Sequence, residues 1–136
     1  MAEYTLSTTV HRPYEDTVEA VRTRLAEAGF GVLTEIDLRA TLKAKLDVDV
    51  TPQVILGACR PQLAHEALQA DPSIAALLPC NVVVRALDDT TTTVQAFDPD
   101  AMMSLAGAAG ASDALRAVAS DARDRLTTAL AALEDN

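Results

Sequence analysis

The chain has 136 residues, the length of one ordinary domain with one hydrophobic core, and carries a net charge of −9. Its eleven Lys and Arg are scattered among twenty Asp and Glu, whereas binding to nucleic acid phosphates or to an anionic membrane surface takes clustered cations; neither is an expected partner. Hydrophobic residues make up 49% of the sequence, yet only two Tyr and two Phe are aromatic, so Val, Leu, Ile and Ala must build the core.

Such side chains each bury little area, and burial of a further face in a homodimer would compensate. The segment Met1-Ala2-Glu3-Tyr4-Thr5 has neither the basic start nor the apolar run of a signal peptide. The longest apolar stretch, Ala101 to Ala111, is interrupted by Ser104, Gly107 and Gly110 and falls short of a bilayer's thickness. Two cysteines do not amount to a disulfide framework. A cytoplasmic location is the expectation, and residues 1–136 are expected to form a single domain.

In chain order, Tyr4, Leu6, Thr8 and Val10 alternate with polar residues and predict a half-buried strand. Pro13, Glu15 and Asp16 suit a helix start, Tyr14, Val18, Val21, Leu25 and Ala28 keep helical spacing, and Gly29 stops the helix. Phe30 to Asp37 predicts a second strand and Leu38 to Leu46 a short helix. The β-branched run Gln53 to Cys59 predicts a central strand, followed by a helix over Pro61 to Ala70 and a further turn over Ser73 to Leu78. Asn81 to Leu87 and Thr91 to Phe97 are strands around the turn Asp88-Asp89-Thr90. Asp98-Pro99 opens a helix through Leu105, and Gly107 and Gly110 mark a hinge. Ser112 then caps a long helix with Leu115, Val118, Ala122, Leu126, Ala129 and Leu133 on one stripe. The order predicts an α+β fold: two layers, an antiparallel sheet of about five strands, helices on one face and a long C-terminal helix.

Four stretches carry a resemblance: AGFGVLTEIDLRATLKAKL (Ala28 to Leu46), ILGACRPQLAHEAL (Ile55 to Leu68), LLPCNVVV (Leu77 to Val84) and FDPDAMMSL (Phe97 to Leu105). In this order they resemble the domain of unknown function 302 family over nearly the whole chain. The resemblance implies a two-layer fold with an antiparallel sheet, often dimeric, and no settled activity. Asp47 departs from it, standing where such proteins are expected to have glycine.

Cys59 closes the third strand and Cys80 opens the fourth. If the two strands are antiparallel neighbours, as the resemblance implies, both thiols lie at one edge of the sheet with the segment carrying His65 above them. Two thiols and an imidazole are donors for a soft metal ion or haem iron, or a site for thiol–disulfide exchange. In parallel strands the thiols would stand at opposite ends. Against a site, neither cysteine belongs to a close pair such as CxxC, and free cysteine commonly packs as a small apolar group. His65 also falls away from the apolar face set by Leu63, Ala64, Ala67 and Leu68.

The remaining candidates read as structure. His11 ends a strand on its polar face; Asp98 and Asp100 suit a helix start; Glu35 and Asp37 read as surface; Met102 and Met103 offer thioethers but more often fill gaps. There is no GxSxG elbow, and Gly29 and Gly31 precede a strand rather than a helix, so neither a serine hydrolase nor a phosphate-cradling loop is indicated. Ala114, Ala119, Ala122 and Ala129 on the terminal helix either leave a groove above the sheet for an apolar ligand or allow tight packing. The sequence is therefore read first as a non-enzymatic binding or interaction domain, a homodimer accommodating a small ligand or partner. A thiol-, metal- or haem-dependent role at Cys59, Cys80 and His65 is the alternative. No cofactor is named by the residues.

Overall fold

The computed structural model describes residues 4–106 and 113–134. The hinge expected at Gly107 and Gly110 and the cap expected at Ser112 lie outside the described residues. The elements are β1 (Thr5–Val10), α1 (Tyr14–Glu27), β2 (Gly31–Asp37), α2 (Leu38–Leu46), β3 (Gln53–Cys59), α3 (Pro61–Ala70), a 3-10 segment (Pro72–Leu77), β4 (Cys80–Ala86), β5 (Thr92–Phe97), α4 (Pro99–Ala106) and α5 (Asp113–Glu134). The strands form one sheet in the order β1-β5-β4-β3-β2, and every neighbouring pair is antiparallel. Helix α1 therefore carries the chain from one edge strand to the other.

Alternation along the central strands sets the two faces. Val54, Leu56 and Ala58 of β3, Val82 and Val84 of β4, and Val94 and Ala96 of β5 are buried in one core with Val21 and Leu25 of α1 and Leu126, Ala129, Leu130 and Leu133 of α5. Period-2 strands thus meet the period-3.6 stripes of two helices. The opposite face carries Gln53, Ile55, Val83, Arg85 and Gln95, bordered by Leu38 at the start of α2. Tyr4, expected on the core side, instead joins this outer face and is 61% exposed. The strand begins only at Thr5, and the Tyr4 carbonyl accepts from the Asp98 amide at 2.8 Å, which holds the residue at the strand's rim.

Two left-handed residues end helices. Gly29 has φ of 92°; its amide donates to Ala26 and that of Phe30 donates to Leu25 at 2.9 Å, the two bonds of a Schellman motif. Asp47 has φ of 55° after α2. It fills a position suited to glycine, and aspartate is one of the few other residues that visits this region; Lys43 Nζ lies 2.8 Å from its carboxylate. Edge strand β2 carries an irregularity between Val32 and Thr34 that breaks its alternation. Leu33 and Ile36 are exposed, and none of the described α2 residues is buried.

A candidate binding cavity at the cysteine end of the sheet

Strands β3 and β4 run antiparallel with Ala58 opposite Cys80. Cys59, one residue further, ends β3 where the chain turns into α3, so both cysteines stand at the same end of the sheet. Arg60 is the N-cap residue of α3 and Pro61 its first residue, where a missing amide costs no hydrogen bond. The 3-10 segment then returns the chain to Cys80 through a cis Leu78-Pro79 bond. Above this end lie α3, α4 and the N-terminal half of α5.

Between them is a cavity of about 50 Å³. The sheet side contributes Phe30, Ala58, Cys59 and Cys80; α3 and the segment after it contribute Leu63, Ala64, Ala67, Ile74 and Leu78; α4 contributes Pro99, Met102 and Met103; α5 contributes Leu115, Val118, Ala119 and Ala122. Among the described residues, Arg60 is the one charged side chain in this wall. The alanine stripe of α5 thus has two fates. Ala119 and Ala122 border open space, Ala129 is packed into the main core, and Ala114 is exposed.

The rim is held by a small charged network. Arg125 Nε lies 3.0 Å from Asp121 Oδ2, and Arg125 Nη1 donates to the Ala28 carbonyl at 2.9 Å. Arg60 Nη1 lies 3.9 Å from the same aspartate oxygen. A Cβ built on Gly29 would come within 3.0 Å of Arg60 Nε, so glycine here also gives the guanidinium room to lie across the turn. On the other side Asp98 caps α4, its carboxylate accepting from the Asp100 amide at 2.9 Å, while Arg123 Nε reaches Asp98 and Asp100 at 3.2 and 3.3 Å. These two aspartates anchor the helix that carries Met102 and Met103; they do not line the cavity.

Burial pushes the Cys80 thiol up to about 11, with a further push from charge on Cys59, and burial also raises Cys59. Both are protonated near neutral pH, so neither is an activated nucleophile. Ala58 pairs with Cys80, so the adjoining Cys59 stands beside it at the same end of the sheet, and both cysteines line the cavity. His65 sits on the exposed side of α3 and is not among the cavity residues, because Leu63 and Ala67 take the buried positions of that helix. Among the described residues no group of three or more His, Cys, Asp or Glu is arranged to hold a metal ion. The chain therefore gathers Cys59 and Cys80 with Met102 and Met103, while His65 stays outside.

Two cavity residues, Phe30 and Arg60, and the nearby Gly57 carry no conspicuous sequence signal. Phe30 reads only as a strand start, and Arg60 only as a residue before proline. Gly57 faces Thr34 and Pro79 so closely that a Cβ there would lie 2.1 Å from Thr34 Oγ1 and 2.8 Å from Pro79 Cγ. Its immediate context, a glycine inside a β-branched strand run, is the one available hint of close approach.

A family model described as "Domain of unknown function DUF302" matches residues 6–133. The crystal structure of an uncharacterized conserved DUF302 protein from Bacillus stearothermophilus is 29% identical to this chain. It superposes with a TM-score of 0.83, with 96% of this chain and 98% of that one covered. No curated protein matches the chain. Among the described residues, no helix is long and apolar enough to cross a membrane.

Proposed function

The chain belongs to the DUF302 family, whose name assigns no reaction, and from the cavity itself we propose that it is a non-enzymatic domain that binds a small apolar ligand at the cysteine end of its sheet. The observation that carries this is the wall: apolar and sulfur-bearing side chains throughout, with a single guanidinium. A polar ligand would lose its hydration there without finding partners. At about 50 Å³ the space takes roughly four water-sized groups. That suits a compact apolar molecule, or the end of a longer one whose remainder leaves past Arg60. Left unfilled, such a void costs about 1 kcal/mol in lost contacts.

Xenon-saturated buffer tests the proposal. The methyl resonances of Met102 and Met103 are expected to shift saturably. Ala122→Leu, which fills the space, should abolish the shift while far-UV circular dichroism stays unchanged. Methyl resonances indifferent to xenon in the wild-type protein would refute it.

A homodimer belongs to the same proposal. It is supported by the exposed apolar side chains Leu33 and Ile36 of β2 and Leu46 and Val48 at and beyond the end of α2, and sedimentation velocity at graded concentrations tests it. A cytoplasmic home is part of the same proposal. The second reading places thiol, metal or haem chemistry at Cys59, Cys80 and His65. It is favoured by the proximity of the thiols and weakened by the exposed position of His65.

A further inference from the structure

We propose that this cavity is a site for a soft monovalent metal ion, Cu(I) in chemical class, held by the sulfurs of Cys59 and Cys80 with thioether support from Met102 or Met103. The proposal rests on the reading of the cavity as a binding site and gives it a second occupant beside an apolar guest, a bare soft ion whose partners are the sulfurs themselves. Its first ground is the distribution of sulfur. The chain has two cysteines and three methionines; Met1 lies outside the described residues, and the other four sulfur residues all line this one cavity. They come from three separate elements, β3, β4 and α4, so chain proximity does not explain the gathering.

The second ground is what the wall lacks. No carboxylate, imidazole or hydroxyl side chain lines it among the described residues. A hard cation such as Mg²⁺ or Ca²⁺ needs oxygen donors, and a structural Zn²⁺ takes a closed shell of four Cys, His or carboxylate ligands, of which this wall offers two. Thiolate and thioether donors select Cu(I). A single bare ion also fits a space of about 50 Å³ where a hydrated one or a haem does not.

The third ground is charge. Each thiol gives up its proton to solvent on binding, and two thiolates with one monovalent cation leave a single net negative charge in an apolar setting. The guanidinium of Arg60, in the same wall, offsets it. No electron is transferred in this step: the metal enters and leaves as Cu(I).

The test titrates the intact chain with Cu(I) under anaerobic reducing conditions against a chromophoric Cu(I) chelator, with methionine methyl resonances followed in parallel. Equimolar uptake is expected, with shifts at Met102 or Met103. Cys59→Ala and Cys80→Ala should each weaken uptake by more than the about 10–100-fold that an outer-shell partner is worth. The pair Met102→Leu, Met103→Leu keeps volume and fold and should weaken uptake less. His65→Ala should leave affinity unchanged. Uptake that persists in the Cys59→Ala, Cys80→Ala double variant would overturn the site, as would uptake abolished by His65→Ala. If xenon enters the cavity while the chelator keeps all the copper, the metal proposal fails and the cavity reading stands. If neither enters, both fail.

Discussion

Helix α5 lies across the sheet in two halves that use the same residue types to opposite ends. In the C-terminal half, Leu126, Ala129, Leu130 and Leu133 meet Val21 and Leu25 of α1 and Val82 and Ala96 of the sheet, and only about 10 Å³ of space remains among them. In the N-terminal half, Leu115, Val118, Ala119 and Ala122 meet the short helices α3 and α4 over Ala58 and Cys80, and about 50 Å³ remains. The difference comes from what lies opposite. The long helix α1 drops Val21 and Leu25 into one half, whereas the short α3 offers the other a single branched residue, Leu63, with Ala64 and Ala67. An alanine on a helix is neither a packing residue nor a cavity residue until its partner is known.

The sharpest way to break this comparison is to truncate one leucine in each half. Leu126 and Leu115 are both essentially fully buried. Leu126→Ala should cost about 3–5 kcal/mol, the upper part of the range for such changes, because its surroundings are closely packed. Leu115 borders the larger cavity, and Leu115→Ala should cost less, about 2–3 kcal/mol. Urea denaturation of both variants measures this, and equal losses would remove the distinction between the halves.

Gly57→Ala comes next. Its Cβ would collide with Thr34 Oγ1 and Pro79 Cγ, so a loss of about 1–3 kcal/mol is expected. Adding Thr34→Ala should recover part of it, since only the Pro79 contact then stays too short. Near-neutral stability of the single variant would mean the strands shift freely at the cavity's end.

Smaller effects should differ in sign between the halves. Ala122→Val partly fills the larger void and should raise stability by up to about 1 kcal/mol, whereas Ala129→Val overpacks the tight half and should lower it by about 1–3 kcal/mol. Thermal and chemical denaturation of the pair would show it.

The last effect is confined to alkaline pH. Burial raises the Cys80 thiol from the ordinary 9.0 to about 11, so the folded state holds this proton more tightly than the unfolded chain. The resulting stability is fully present below about pH 9 and is lost as pH rises towards 11. Cys80→Ala should flatten that part of the stability profile, and Cys59, the more exposed thiol, should be alkylated first at every pH.

Much of this was legible in the residues because periodicity and punctuation agreed. The run QVILGAC with Arg60-Pro61 after it marks both the end of β3 and the start of α3, and the antiparallel pairing of β3 and β4, which the family resemblance implied, brings Cys59 and Cys80 to one end of the sheet. The α5 stripe is likewise buried, with Val118 half-buried at the cavity. Tyr4 escaped because alternation does not say where a strand begins. The enclosing role of α3 and α4 escaped because it depends on tertiary placement of short helices. His65 and the methionines illustrate the same limit. A spacing of two places His65 off the buried positions Leu63 and Ala67, but nothing in the spacing of Met102 and Met103 reveals that the helix bearing them closes over two cysteines more than twenty residues upstream.

The central claim, that the space under the N-terminal half of α5 admits a small guest, is tested most directly by a crystal structure of the protein under xenon pressure. The account predicts a xenon peak bounded by Cys80, Met102 and Ala122, and none among Leu126, Ala129 and Leu133. A cavity without xenon, or a peak in the tightly packed half instead, would contradict it.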